Sequence, residues 1–317
     1  MRKILIIKTS SLGDVVHALP AVSDIARHCP DITVDWIVEA SFSAIPALHP
    51  AVRHIIPVAT RRWRKAPLSR DTWQELASLR HQLREGAYDL TIDLQGLIKS
   101  ALLGWLVPAH RMGYAWSSAR EPWATLAYQE RFAIPWNLHA VARNRLLTAQ
   151  ALGYEPEPEV RYGLKLPSAP PPWAPGEPYV VLLHATSRPH KEWPESYWIE
   201  LGVRLQQQGL RAIIPGGSAI ERERAARLAS RIPAALAAPV MDLAALAALL
   251  AHAQCVIGVD TGLSHLATAL NRPVVAIFTA TRPEDTGVYG SPLAVNCGGK
   301  KQMPSVETVM QALPASC

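Results

Sequence analysis

The chain has 317 residues, 49% of them hydrophobic, and a formal net charge of +6. That length fits about two domains, and no apolar run approaches the roughly 18 residues that a membrane-spanning helix needs. The mild positive charge suits nucleic acid, an anionic membrane surface or a phosphorylated substrate. No helix-turn-helix, aromatic RNA-binding strand or zinc-finger signature is present, so nucleic acid is not an expected partner.

The first apolar run, Ile4 to Ile7, is far shorter than the roughly 7–15 residues of a signal-peptide core. The N-terminus therefore reads as mature and cytoplasmic. Four cysteines, Cys29, Cys255, Cys297 and Cys317, stand far apart. They lack metal-ligand or redox spacing, and reduced thiols fit a cytoplasmic protein.

Lys3–Lys8 predicts a buried parallel strand. Asp14–His28 predicts a helix, with apolar residues at Val15, Ala18, Leu19, Val22, Ile25 and Ala26 in the i, i+3, i+4, i+7 pattern. Pro20 within it should kink the helix or delay its start. Thr33–Val38 and Ile55–Val58 predict strands. A helix is expected over Asp71–Arg84 with Asp71 as its N-cap, a strand over Tyr88–Asp93, a helix from about Lys99, and a helix over His139–Leu152 closed by Gly153. Eight prolines then fall between Glu155 and Pro178. Proline fixes φ and removes a backbone donor, so this stretch reads as a stiff linker at a domain boundary.

A second alternating set follows: strands at Tyr179–His184, Arg211–Ile214, Cys255–Val259 and Val274–Phe278, and helices at Pro194–Gln208, Glu221–Arg231, Leu243–Ala251 and Gly262–Leu270. Strand–helix alternation in both halves predicts an α/β protein with two doubly wound parallel sheets.

Ligands of such sheets bind beyond the carboxyl ends of the strands, where three polar loops of the second half fall. His184-Ala185-Thr186-Ser187-Arg188 offers hydroxyls and backbone N–H groups to phosphate, with Lys191 close behind to offset diphosphate charge. Asp260-Thr261-Gly262 turns from strand to helix, and exposed N–H groups at that helix start favour an anion. Asp260 reads either as a helix cap or as an acceptor for sugar hydroxyls. Gly216-Gly217-Ser218 leads to Glu221, which is either a surface residue or a holder of ribose hydroxyls. His265 reads as a ligand contact or as a core histidine. The dinucleotide glycine fingerprint and the P-loop motif are both absent.

In the first half, Ser10, Ser11 and Gly13 form a turn into the first predicted helix. Asp14 there is either a helix cap or a general base for an acceptor hydroxyl. Arg61, Arg62, Arg64 and Lys65 are four cations in five residues. They read as a solvated face or as a site for an anionic acceptor, and Trp63 among them suits a membrane interface. Arg120, beside Glu121-Pro122, reads as a further anion contact.

In this order, the stretches Lys8–Val15, Arg61–Ala66, Asp93–Ser100, Ala119–Pro122, His184–Pro194 and Val259–Leu266 resemble the lipopolysaccharide heptosyltransferases, glycosyltransferase family 9, and among them the heptosyltransferase I group. The resemblance implies a GT-B fold: two Rossmann-like domains facing an interdomain cleft. Residues 1–165 would bind the acceptor and 166–317 the nucleotide-sugar donor, across a linker at about 155–178, with the last helix, Val306–Leu313, crossing back to the first domain.

The resemblance also implies inverting transfer of L-glycero-D-manno-heptose from ADP-heptose to Kdo of Kdo2-lipid A at the cytoplasmic face of the inner membrane, with no metal or other cofactor. Asp14 would be the base and Lys191 would assist departure of the diphosphate. Thr186, Ser187 and Lys191 would hold the diphosphate, Glu221 the ribose and Met241 the adenine. Asp260, Thr261, Gly262 and His265 would hold heptose and phosphates. Ser10, Ser11, Gly13, Arg61, Arg62, Arg64, Lys65 and Arg120 would meet the acceptor. The sequence departs from the family pattern at Ser187, at Pro189-His190 and at Gly216. The alternatives are a heptosyltransferase II-like enzyme, a sugar-nucleotide epimerase, or a nucleotide-sugar-binding protein without catalysis.

Overall fold

The computed structural model describes residues 2–186 and 188–314. The chain divides into two compact units, Met1–Gly163 and Leu164–Cys317, and the division falls inside the proline-rich stretch.

The first unit carries strands β1 (Arg2–Ile7), β2 (Ile32–Glu39), β3 (Val52–Val58), β4 (Leu90–Asp93), β5 (His110–Tyr114) and β6 (Glu130–Phe132). They form one parallel sheet in the order β3-β2-β1-β4-β5-β6. Its helices are α1 (Leu12–His28), α2 (Thr60–Lys65), α3 (Arg70–Glu85), α4 (Ile98–Trp105) and α5 (Ala140–Leu152). Ile4 to Ile7 are wholly buried because helices cover both faces of a parallel sheet.

α1 begins two residues before the expected start and runs through Pro20, which is buried. Its missing N–H leaves the Val16 carbonyl without a helical donor. The N-cap of α3 is Ser69, not Asp71: the Ser69 hydroxyl accepts from Thr72 N–H at 3.1 Å. α5 ends as expected at Gly153, which takes a left-handed φ of 76°.

The second unit repeats the design. Its strands are β7 (Tyr179–Leu183), β8 (Arg211–Ile214), β9 (Leu236–Ala237), β10 (Cys255–Val259), β11 (Val274–Phe278) and β12 (Ala294–Gly298), ordered β12-β11-β10-β7-β8-β9 and all parallel. Its helices are α6 (Glu195–Gln207), α7 (Ala219–Ala229), α8 (Leu243–Ala251), α9 (Gly262–Ala269), α10 (Pro283–Thr286) and α11 (Val306–Gln311). Ser218, Asp242 and Ser305 cap α7, α8 and α11, each worth about 1 kcal/mol. The core gathers Trp193, Trp198, Leu201 and Leu205 with the strand residues.

α11 belongs to this core. Val306 and Val309 are buried in it, and Glu307 pairs with Arg204 of α6 at 2.8 Å. The apolar face of α11 packs on the second unit's own sheet and α6. Among the described residues no helix is long and apolar enough to cross a membrane.

Both sheets reverse their strand order once, between β1 and β4 and between β7 and β10. Loops leaving adjacent strands diverge there and open a crevice, the usual place for a ligand in this architecture. Of the polar loops singled out above, those at Ser10, His184 and Asp260 leave β1, β7 and β10 at these switch points, and the Gly216 loop leaves the neighbouring β8.

Candidate active site

At the switch point of the second unit, the loop after β7 meets the turn after β10. Thr186 Oγ1 donates to the Asp260 carbonyl at 3.0 Å. The Asp260 carboxylate is engaged through Oδ2 by Lys191 Nζ at 2.6 Å and by the Thr281 hydroxyl at 2.5 Å. Asp260 is therefore not a cap. Thr261 is the N-cap of α9, and Gly262 opens the helix. His265 is buried on α9, in keeping with its reading as a core histidine. Ser187 lies outside the described residues.

Beside this pair lies a cavity of about 220 Å³. Leu183, Pro239, Met241, Leu246 and Leu263 supply its apolar lining, while Thr186, Thr261, Gly216, Gly217 and Glu221 supply the polar one. Glu221 is the third residue of α7 in a capping box: its Oε2 accepts from Gly217 N–H at 2.8 Å and Ser218 N–H at 2.9 Å. The carboxylate is thus both the structural group and a wall of the cavity.

Gly216 is required by space. A Cβ there would lie 2.7 Å from the backbone nitrogen of Arg222 and from the backbone carbon of Glu221. The departure from the family pattern at this position therefore accompanies a very close approach of loop and helix.

Sequence reasoning missed two supporting residues. Arg224 is buried and ties the β7 loop to the start of α6, donating to the carbonyls of His184 at 3.2 Å and Trp193 at 2.8 Å and pairing with Glu192 at 2.6 Å. Thr281 sits beyond the end of β11, where the short Thr279–Arg282 stretch carries no glycine-rich or helix-opening motif to mark it. Burial, reinforced by the Arg224 guanidinium, pulls His184 down to about 4.

In the first unit, the residues after β1 and β4 interlock. The Gln95 Oε1 accepts from Thr9 N–H at 3.0 Å and Ser10 N–H at 3.2 Å. Asp93 is buried and accepts from Tyr128 OH at 2.6 Å, Ser100 Oγ at 2.7 Å, Gln95 N–H at 2.7 Å and Gly96 N–H at 3.2 Å. Burial raises the Asp93 carboxyl above its ordinary range against the pull of these donors. Lys8 is buried too, bonding the Leu94 carbonyl and Asn144 Oδ1. Desolvation lowers its pKa, opposed by Asp14 and Asp93.

Asp14 is the third residue of α1, and Ser11 is the N-cap. The Asp14 Oδ2 accepts from Ser11 N–H at 2.8 Å and from Ser11 Oγ at 3.0 Å. Asp14 is therefore not the N-cap but its capping-box partner, and these bonds close the helix start and fix the carboxylate's direction.

A second cavity of about 440 Å³ is lined by Ser10, Thr60, Arg61, Arg64, Leu97, Lys99 and Glu121. α2 brings the cations there. Positions 61 and 64 share one helix face at i, i+3, and Arg61 lies over the Phe42 ring. Glu39 holds the helix start, accepting from Thr60 N–H at 3.2 Å, Thr60 Oγ1 at 2.7 Å and Arg61 N–H at 3.3 Å.

Arg62 and Lys65 of the run, and Arg120 outside it, do not line this cavity. Arg62 pairs with Glu75 at 2.8 Å, and Lys65 and Arg120 are exposed. Trp63 is not a free aromatic: its Nε1–H donates to Glu75 at 2.7 Å and its ring packs on the core. Lys99, which the sequence reading did not assign, donates to Ser10 Oγ at 2.8 Å. Desolvation lowers its pKa. Among the described residues no cluster of three or more His, Cys, Asp or Glu side chains could hold a metal ion.

Comparison with known proteins follows the same lines. The description of glycosyltransferase family 9 (heptosyltransferase) matches residues 76–315. Lipopolysaccharide heptosyltransferase 1 of Pseudomonas aeruginosa is 47% identical over 298 residues, covering 91% of this chain and 81% of that protein. Lipopolysaccharide heptosyltransferase 1 of Escherichia coli K12 is 44% identical, covering 91% of each. The solved structure of E. coli heptosyltransferase WaaC with ADP superposes with a TM-score of 0.90 at 40% identity, covering 98% of both chains.

Proposed function

From the membership of this chain in glycosyltransferase family 9, a GT-B family of heptosyltransferases, we propose that it transfers L-glycero-D-manno-heptose from ADP-heptose to a Kdo hydroxyl of Kdo2-lipid A, with inversion. The observation that carries this reading is the cavity of the second unit at the β7/β10 switch point, with Lys191 and Asp260 at its side. An apolar slot containing Met241 suits a purine. Glu221 at its wall suits a ribose diol. Lys191, Thr186 and the N–H groups opening α9 suit a diphosphate.

In this reaction the acceptor oxygen attacks the anomeric carbon as the bond to the diphosphate oxygen breaks. Asp14 takes the acceptor's proton, and ADP leaves with the bonding electron pair. Lys191 and the start of α9 take up the charge that develops on the leaving group, so the reading assigns no step to a metal. Arg61, Arg64 and Lys99 face an anionic acceptor, as the carboxylates of Kdo and the phosphates of lipid A require. A sugar-nucleotide epimerase would use the second unit similarly, but it has no use for a cation-lined cavity in the first. A lipid-borne acceptor places the protein as a peripheral enzyme on the cytoplasmic face of the inner membrane.

The test is incubation with ADP-heptose and Kdo2-lipid A followed by mass spectrometry. The expected product is heavier by one heptose residue, with one ADP released per transfer. Hydrolysis of ADP-heptose without a mass gain, or no reaction, overturns the reading.

A further inference from the structure

The first unit exposes apolar side chains that its own core does not use. On α4, Ile98, Leu102 and Trp105 stand at i, i+4 and i+7, on one face, while Ala101 and Leu103 are buried. Trp123 and Leu126 project from the adjoining turn, Pro122–Ala127, and the Trp123 ring meets Trp116 edge to face at 5.2 Å. These six side chains are each between 43% and 66% exposed. Five of them flank an apolar groove of about 140 Å³ floored by Ala101, Ala124 and Ala127. Single exposed apolar residues are ordinary, but a contiguous aromatic patch marks an interaction surface.

We propose that this α4 face and the Pro122–Ala127 turn are the surface with which the protein docks on an anionic lipid bilayer. The proposal rests on the reading of the acceptor as a membrane glycolipid. Its position commits it to lipid. Ile98 N–H donates to Glu121 Oε2 at 2.7 Å, and Glu121 lines the cation-walled cavity. Lys99, next to Ile98 on α4, reaches into the same cavity and bonds Ser10. The apolar face is therefore continuous with the rim of the site for the anionic headgroup, as an amphiphile held in a bilayer demands.

The chemistry agrees with the position. Three exposed tryptophans suit the boundary between headgroups and acyl chains, where an apolar ring with one polar edge is best accommodated. The cations of α2 beside the cavity complement anionic headgroups. The membrane role expected of Trp63 passes to this face, because Trp63 is turned inward onto Glu75.

The test uses the full chain with sedimented vesicles of phosphatidylethanolamine and phosphatidylglycerol, comparing wild type with the neutral double variant Leu102→Gln/Leu126→Gln. Wild type should bind, and the variant's partition should fall on the order of 100-fold, because two large side chains no longer enter the lipid. The variant should keep the wild-type stabilisation by ADP and the wild-type rate on an acyl-free Kdo acceptor, so that loss of binding is separated from misfolding. Equal partition of the two proteins, or no binding by wild type, overturns the proposal. Self-association of wild type that the variant abolishes overturns it too, in favour of a second copy as the occupant. Vesicle binding requires no turnover, so this outcome and failure of heptose transfer are read independently.

Discussion

Lys191 Nζ and Asp260 Oδ2 stand 2.6 Å apart, with both side chains mostly withdrawn from solvent. The pair ties the loop after β7 to the turn after β10 across the switch point. A ligand diphosphate there would share the ammonium with Asp260. Lys191→Ala removes the cation and leaves the Asp260 carboxylate without its counter-charge, which for a buried pair costs about 3–5 kcal/mol. It should lower the melting temperature and weaken ADP binding by roughly 10- to 100-fold, the worth of a charged hydrogen bond. Asp260→Asn frees Lys191, so ADP should raise the melting temperature of that variant at least as much as that of wild type. Thermal shift with and without ADP checks both, and unchanged ADP affinity in Lys191→Ala would contradict the assignment.

Gly216 separates backbone space from side-chain chemistry. A Cβ on it would meet α7 backbone atoms at 2.7 Å, and those atoms cannot swing aside as a long side chain can. Gly216→Ala should displace the loop that walls the cavity, costing about 1–3 kcal/mol of stability and weakening ADP binding. Glu221→Gln, which keeps an oxygen for the Gly217 and Ser218 N–H groups, should be far milder for stability. Calorimetric ADP titration with parallel urea unfolding distinguishes the two.

The cation run divides by helix face. Arg61→Ala/Arg64→Ala should raise the acceptor KM about 10-fold or more, as the loss of two charged contacts implies, and leave the ADP-heptose KM alone. Arg62→Ala/Lys65→Ala should change the acceptor KM much less, since Arg62 is committed to Glu75. Equal effects from the two pairs would show that a diffuse positive field, and not the cavity, captures the acceptor.

Two buried histidines predict acid lability. His49 and His184 are each held near 4 from an ordinary 6.5, first of all by burial. For His49 the geometry agrees: Nδ1 accepts from Ala51 N–H at 3.2 Å, so a second ring proton would expel that donor. Both folded values lie below the unfolded one, so the unfolded chain binds more protons between them. Their contribution is whole above pH 6.5 and is lost as pH falls from 6.5 towards 4, by up to about 3 kcal/mol per histidine. Urea unfolding at pH 7.5, 6, 5 and 4 should show that decline. His49→Asn, whose amide oxygen replaces Nδ1 as acceptor, should show a shallower one.

What the sequence disclosed follows burial. Arg211–Ile214, Cys255–Val259 and Val274–Phe278 were legible to the residue because uninterrupted apolar runs admit little besides a covered strand. β5, with its polar start at His110 and Arg111, and the short β6 and β9 carry no such run. Pairing with a neighbouring strand makes them strands, and pairing is not local information. The site behaved likewise. The turn at Asp260 was visible as a strand end, but its partner Lys191 lies 69 residues away, and no spacing rule links them. Trp63 looked like a membrane aromatic because its neighbours are charged, while the carboxylate that turns it inward, Glu75, sits on the next helix.

The most direct test of the account is the transfer rate of Asp14→Asn at saturating ADP-heptose and Kdo2-lipid A, with donor affinity measured alongside. The amide can still accept from Ser11 N–H, so the start of α1 and the fold should survive. The rate should fall by about 10²–10⁴, the usual worth of a general base, while the Kd for ADP-heptose stays at the wild-type value. A rate within a few fold of wild type would contradict the central claim that Asp14 takes the acceptor's proton, and a matching loss of donor affinity would assign it a structural role instead.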